Sequence, residues 1–424
     1  MLGMIKEALE KNGIGTYLIR KEEIESAELY FIKKELDMRR MKDIASYEVT
    51  VYRDFEKDGE KMRGFSAAQV FPQMSSQEVE RAVADAYYAA SFAVNPYFEL
   101  PKGSKQEHIN MPGKLVSMPV EQAAEAFAKS LYAADNRSGA WINSAEFFVN
   151  KRSISIINSE GIDVSYTRCQ AKGEFVVQCS DPSDVEQYQD FAYNDLDTEA
   201  LTAQANEALD AVAARARAKE APKKGAYDVI LSGKQMYTLF SFYAERANAS
   251  MVYPGYSNYQ KGARVQGEPV SGEKVNMTLK AVAPYSYEGI PMQNLELVKD
   301  GELQALYGNA RFCHYLGIRP TGNYEAYRIQ NGSQTMEELK SSPYLHVISF
   351  SDFQMDSFSG YFGGEIRLAY LYDGNEAIPV TGGSINGNFL ELQDNMVFSK
   401  ETYQDSRYEG PMAVKFRHVA VAGA

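Results

Sequence analysis

Four histidines, three cysteines and a close pair of aspartates are the residues of this 424-residue chain best suited to chemistry, and their spacing limits what they can do. A zinc site on a helix needs its histidines and carboxylate on one face, on adjacent turns. His108, His314, His346 and His418 are scattered, and no two share a helical face. The plainer reading is four hydrogen-bonded or solvated structural histidines. Cys313 adjoins His314, but sequence neighbours diverge in direction on helix and strand alike, so Cys313 reads as a small core residue. A displaced metal site assembled from Cys313, His314 and His346 is the alternative. With Cys169 and Cys179 the cysteines form an odd set without metal-type spacing, which suits buried thiols in a reducing cytoplasm. Asp352 and Asp356 would pair as acid and base if helical, as Glu245 would with a distant carboxylate. The run Ser351 to Gly364 has much Gly and Ser and little periodicity, so it predicts a loop with solvated carboxylates instead. Gly-x-Ser-x-Gly is absent, and Gly322, Gly382 and Gly383 do not lead a strand into a helix as a phosphate loop does.

The elements that must position any site centre on Ala226 to Val252. Tyr227, Val229, Ile230 and Leu231 predict a buried strand, Gly233 a turn, and Met236, Leu239, Phe240, Tyr243, Ala247 and Met251 one long amphipathic helix. Its polar residues are Ser241, Glu245, Arg246 and Asn248. Tyr243, Tyr253, Tyr256 and Tyr259 cluster near it, and the first three are candidates to line a peptide groove, against the plainer role of amphipathic core edges. Upstream, helix, meander and helix occur twice, suggesting a structural duplication. Met1 to Gly13 is an amphipathic helix and not a signal peptide. Thr16 to Arg20 is a strand, Glu22 to Glu28 could start a second helix with its boundary to the strand-like Leu29 to Ile32 open, and Tyr47 to Phe71 is a hairpin turning at Asp58-Gly59. Ser75 and Glu78 form a capping box. Glu146 to Val149, Ser153 to Asn158, Ile162 to Cys169 and Gly173 to Cys179 predict four short strands, and Thr198 caps the helix that follows. The charged run Ala218 to Gly225, broken by Pro222, is the boundary between an N-terminal α+β domain, 1–222, and a β-rich C-terminal domain, 226–424. The fold class is therefore α+β, with the C-terminal strands curled around a central helix.

Composition narrows function further. The chain holds 44 Lys plus Arg against 57 Asp plus Glu, a net charge of −13 that repels phosphate backbones and anionic lipid, so no nucleic-acid partner and no membrane is expected. No stretch approaches the roughly 20 apolar residues of a membrane span.

The order of Ser75 to Ala93, Asn158 to Gly161, Ala226 to Ser232, Glu288-Gly-Ile-Pro-Met-Gln, Asp300-Gly-Glu-Leu, Ala310 to Asn323 and Val419-Ala-Val-Ala-Gly resembles the TldD/PmbA family, once described as modulators of DNA gyrase and better understood as zinc-dependent peptidases. In the family's catalytic branch a His-Glu-x-x-x-His helix and a C-terminal cysteine hold zinc. The resemblance places those helix positions at Ser241, Phe242 and Arg246, and no cysteine follows Cys313. A hydroxyl, a phenyl ring and a guanidinium are not zinc donors. The chain thus resembles the PmbA/TldE branch, which implies a non-catalytic, cytoplasmic subunit with no cofactor of its own, paired with a zinc-bearing TldD-like subunit and acting on peptides or unfolded proteins. A stand-alone peptidase with an atypical metal site, or a homodimeric peptide-binding or scaffold protein, are the alternatives.

Overall fold

The computed structural model describes residues 1–423, beginning with a sheet built from two runs of one pattern. Helix α1 (Leu2–Lys11) precedes three antiparallel strands, β1 (Tyr17–Ile32), β2 (Glu35–Lys57) and β3 (Glu60–Val70), which α2 (Ser76–Ala90) follows. The order recurs as α3 (Val120–Ala133), β4 (Ala140–Asn158), β5 (Asp163–Cys179), β6 (Val185–Tyr193) and α4 (Thr198–Ala216). The strands lie in the order β3-β2-β1-β4-β5-β6, with the short segment Ile109–Asn110 also pairing with β5. The two meanders meet through β1 and β4, antiparallel from Leu18 with Asn158 to Ile32 with Ser144.

Alternation along these strands assigns their faces, because successive side chains point to opposite sides. Ile19, Val49, Val51 and Val70 pack against α1 and α2, while Leu29, Phe147, Val149 and Phe175 pack on the same side against α3 and α4. Leu18, Tyr52, Ile154, Ile156 and Tyr166 point the other way and meet Ala283 and Tyr285 of the C-terminal domain. The capping box of α2 forms as expected: Glu78 N–H donates to Ser75 Oγ at 3.3 Å and Ser75 N–H to Glu78 Oε2 at 2.8 Å.

The C-terminal domain begins with β7 (Gly225–Ser232), α5 (Gln235–Arg246) and α6 (Ala249–Val252). There follow β8 (Met277–Lys280), β9 (Leu295–Lys299), α7 (Ala310–Tyr315), β10 (Ala326–Ile329), β11 (Tyr344–Met355), β12 (Tyr361–Tyr372), β13 (Ala377–Val380), β14 (Ser384–Asn388), β15 (Tyr408–Pro411) and β16 (Ala413–Ala422). One sheet runs β11-β7-β16-β14-β12, and pairing of β12 with β11 closes those five strands on themselves. A second sheet contains β9-β8-β10-β15. Helix α5 lies between them. Met236, Leu239, Phe240 and Tyr243 are wholly enclosed with Leu231, Met277, Leu279, Val414 and Phe416. The chain is α+β, with a β-rich C-terminal domain curled around a central helix, as its sequence pattern indicates.

Several local expectations need correction. Glu22 to Glu28 is strand throughout: it pairs with both β2 and β4, and Glu22 meets Arg152 across strands at 3.2 Å. Pairing on both sides outweighs the helix preference of a Glu-rich run. The four short strands between 146 and 179 are parts of two long ones. Thr198 is the first helical residue and not a cap; Asp197 precedes it without a side-chain cap bond. The long helix predicted to Met251 breaks at Asn248, whose extended backbone and side-chain bond to Ser250 N–H start α6 anew. Of Ser351 to Gly364 only Asp356 to Gly360 lies outside the strands; the rest is the paired ends of β11 and β12, in a hairpin whose register shifts disguise its periodicity.

Gly64 of β3 passes under the end of α2, where an added Cβ would collide with the Ala90 carbonyl oxygen. Gly64→Ala should destabilise the chain by about 2 kcal/mol in urea unfolding, since overpacking a tight contact forces the backbone apart.

Candidate functional site

The end of α5 carries Ser241, Phe242 and Arg246, the positions that the resemblance matches to the metal motif, and these side chains are engaged with other parts of the chain. Strand β7 is central in its sheet, parallel to β11 and antiparallel to β16. Gly233, at φ 68°, turns the chain directly into α5. Phe240 packs edge-on against Phe389 and Phe398, and Phe242 against Phe389 at 5.2 Å. Ser241 Oγ donates back to the Thr238 carbonyl at 2.9 Å. Arg246 is only 9% exposed. Its Nη1 donates to the carbonyls of Ser357 (3.0 Å) and Phe358 (3.2 Å), and Nη2 to Asn258 Oδ1 (3.0 Å). The rings of Phe242 and Tyr259 lie 5.2 and 5.0 Å from its Cζ. Among the described residues no carboxylate forms an ion pair with it, and its Nε has no partner.

A buried guanidinium needs compensation for its charge, and here two carbonyl dipoles, the Asn258 amide oxygen and two aromatic faces supply it, with Nε left unpartnered. The chemical result is a clamp. Arg246 ties the apex of the β11–β12 hairpin to the end of α5, and beside it Ser357 Oγ donates to Glu245 Oε2 at 2.5 Å. Zinc does not fit this donor set: Ser241 is turned onto its own helix, Phe242 is core, and a fixed positive charge fills the remaining position.

The structure brings none of the scattered metal-type residues together. His108 bridges Ser165 and Thr167 hydroxyls at 2.9 and 3.0 Å, and His314 lies edge-on to Tyr97 and Tyr315. His346 shares a 2.9 Å hydrogen bond with Ser232 Oγ, and His418 is exposed on β16. Cys313 is buried on α7, where burial pushes its thiol up to about 11. Among the described residues no three His, Cys, Asp or Glu side chains form a cluster suited to a metal ion. Asp352 and Asp356 do not pair either. Asp352 accepts from Gln354, and Asp356 accepts from Phe358 N–H and Ser359 within the hairpin turn.

The three tyrosines proposed for a groove divide. Tyr243 is enclosed, its hydroxyl donating to Gln393 Oε1 at 2.6 Å, so its ring reaches no surface. Tyr253 and Tyr256 are exposed, Tyr253 against Tyr315 and Tyr256 against Phe358.

Sequence reasoning missed a cavity of about 600 Å³ beside this helix end, between the N-terminal sheet and the C-terminal domain. Asn248 Nδ2 donates to Asn323 Oδ1 at 3.2 Å, and Asn323 belongs to the cavity wall. Arg20, Glu48 and Arg168 rise from the sheet, and Tyr287, Glu288 and Arg311 face them. Glu288 Oε2 accepts from Ala310 N–H at 2.8 Å. Burial holds its carboxyl above the usual range, against that hydrogen bond and the Arg311 charge. The available signal was a charge two residues beyond a buried apolar or aromatic residue on the same strand face, Arg20 after Leu18 and Arg168 after Tyr166.

Residues 224–423 match the model of the PmbA/TldA metallopeptidase C-terminal domain. An uncharacterized protein of Methanocaldococcus jannaschii is 22% identical over 292 residues, covering 61% of this chain and 64% of that relative, so less than two thirds of the relative's length is spanned. Among solved structures, TldE from Thermococcus kodakarensis superposes with a TM-score of 0.79 at 18% identity, covering all of both chains. A protein described as a modulator of a DNA gyrase from Thermotoga maritima gives 0.78 at 17% over all of both chains. A similarly described protein from Bacteroides thetaiotaomicron gives 0.78 at 14%, over all of this chain and 99% of that one. At these identities the structures establish a shared fold.

Burial, with Lys340 adding to it, depresses the His346 imidazole to about 3. Above the ordinary histidine pKa the group is neutral whether folded or not. As pH falls below it, only the unfolded chain gains the proton, so stability is lost progressively toward the folded value, at about 1.4 kcal/mol per pH unit. Urea unfolding across this window should show a steep acid limb that His346→Gln makes shallower by about that slope.

Proposed function

The chain belongs to the TldD/PmbA family through its C-terminal domain, and from that premise we propose that it is a non-catalytic, TldE-like subunit of a heteromeric zinc metalloprotease acting on peptides or unfolded proteins. The observation that carries this reading is the Arg246 clamp: the helix end that would offer imidazoles to a metal instead holds a hairpin through a buried cation. Zinc would then reside in a TldD-like partner, whose histidines and cysteine would hold the ion and whose glutamate would act as base toward its bound water. This chain's part is to wall the reaction chamber and help shape the groove. Substrate lying along a sheet edge would be held by backbone hydrogen bonds, a mode with broad sequence tolerance. A direct role on DNA is disfavoured by the net charge of −13, whatever the description attached to two of the similar structures. We place the complex in the cytoplasm, where three buried thiols stay reduced. No helix among the described residues is long and apolar enough to cross a membrane.

The test is to purify the tagged chain from its own cells and, separately, alone after recombinant expression. The isolated chain should carry substoichiometric zinc and cleave no unfolded casein, whereas its complex with a zinc-bearing sibling should carry stoichiometric zinc and cleave casein. Stoichiometric zinc on the isolated chain, with hydrolysis abolished by His314→Ala, would overturn the reading.

A further inference from the structure

Strand β2 is longer than its outer neighbour. Its pairing with β3 begins at Tyr47, opposite Val70, so the part of β2 before Tyr47 pairs with β1 alone. A register shift at Tyr30 and Phe31 leaves Asp37 unpaired and ends the regular strand, which makes residues 38–46 an open edge about 27 Å long. Among the described residues no backbone group hydrogen-bonds to its outer side. Alternate N–H and C=O groups of such an edge point outward and invite another strand. Natural edges are blunted by proline, by charge or by cover. This one has no proline, and Met38, Met41 and Ile44 stand 43, 44 and 52% exposed along it. It does have charges, and their order is informative.

Residues opposite each other across an antiparallel junction point to the same face, so a two-fold axis perpendicular to the sheet pairs positions that differ by an even number. With the axis at Met41, that residue meets its own copy, Arg39 meets Asp43, and Met38 meets Ile44. The last two pairs each occur twice by symmetry. Arg40 then stands opposite Lys42, but both cations already pair with the buried Glu28 of their own chain. Moving the axis to Arg40 or Lys42 places two like cations on it and separates Arg39 from Asp43. The axis at Met41 is thus the register that sets opposite charges and apolar side chains against each other at once. An arbitrary strand would confront Arg39, Arg40 and Lys42 without matching carboxylates, so the same charges select against other occupants.

We propose that this edge pairs with the same edge of a second copy of the chain, antiparallel and centred on Met41, and so joins two N-terminal sheets into one. The pairing goes beyond the subunit reading above and does not depend on it. The edge belongs to the N-terminal sheet, whereas the Arg246 clamp is built from C-terminal residues alone. A second copy here therefore takes up none of the residues from which a zinc-bearing sibling is inferred.

Sedimentation velocity of the isolated chain, with amide hydrogen exchange beside it, tests this. Dimers should form with a dissociation constant at or below about 10 μM, and the amides of residues 38–46 should gain protection as chain concentration rises. Arg39→Asp and Asp43→Arg should each raise that constant by about tenfold or more, because each sets like charges against each other. Mixing the two variants in equal amounts restores both opposite pairs and should restore the dimer. Both residues are exposed, as is the Arg39–Glu125 ion pair that the first variant gives up, so the fold is unaffected. Met41→Cys should cross-link to its own copy on mild oxidation while Asp43→Cys does not, the native thiols being buried. A chain that stays monomeric up to about 100 μM, or a dimer indifferent to both charge variants and to their mixing, would overturn the proposal. So would protection of residues 38–46 that requires added unfolded casein and not a higher chain concentration, which would assign the edge to a substrate strand. All of these are read from the isolated chain, so none bears on zinc content or casein cleavage in the complex.

Discussion

A sheet that is apolar on both faces must be covered on both, and this requirement organises the molecule. On β1, Leu18 and Ile19 point to opposite sides and both are buried. The Ile19 side is covered by the four long helices of the N-terminal domain itself. The Leu18 side is covered by the C-terminal domain, through Ala283 and Tyr285, over only part of its area. Burial of this kind contributes about 25 cal/mol for each Å² of apolar surface and fixes which way the domains face. Where apolar residues give way to Arg20, Glu48 and Arg168, close packing would bury unpaired charge. The contact opens there into the cavity instead.

The central helix shows the same economy of polar groups. Three polar side chains at its end bond to segments distant in the chain: Arg246 to Ser357 and Phe358, Glu245 to Ser357, Tyr243 to Gln393. Removing one partner would strand a buried donor, which costs more than the bond itself contributes. The helix is therefore rigidly joined to the hairpin and to the 389–396 segment. A scaffold of this kind suits a wall better than a moving part.

What the sequence made legible was local. The capping box at Ser75 and Glu78, the strand and turn before α5, the Asp58-Gly59 hairpin and the repeated helix, meander, helix order could be read because their determinants lie within a few residues of one another. Glu22 to Glu28 could not be settled, since its strand character comes from pairing with residues near 152 that no local window contains. The hairpin over 351–364 was hidden for a related reason, as a register shift between Phe350 and Phe353 breaks the alternation where the segment begins. At the candidate site, Arg246 was visible as a residue unfit for zinc, but its carbonyl partners were not. The cavity was invisible because its two walls belong to different domains.

The seam between β1 and β4 also bears on how the chain reaches this structure. Within each meander, strands are joined by short turns and pair with their immediate successors, so each can assemble from nearby residues. The seam itself joins residues more than a hundred positions apart, from Ile32 with Ser144 to Leu18 with Asn158. Closing so long a loop costs entropy before any contact compensates it, and distant pairing slows folding. The N-terminal domain is thus two quickly formed halves awaiting one late junction. Until that junction closes, the inner edges of β1 and β4 stand open to any strand that arrives first.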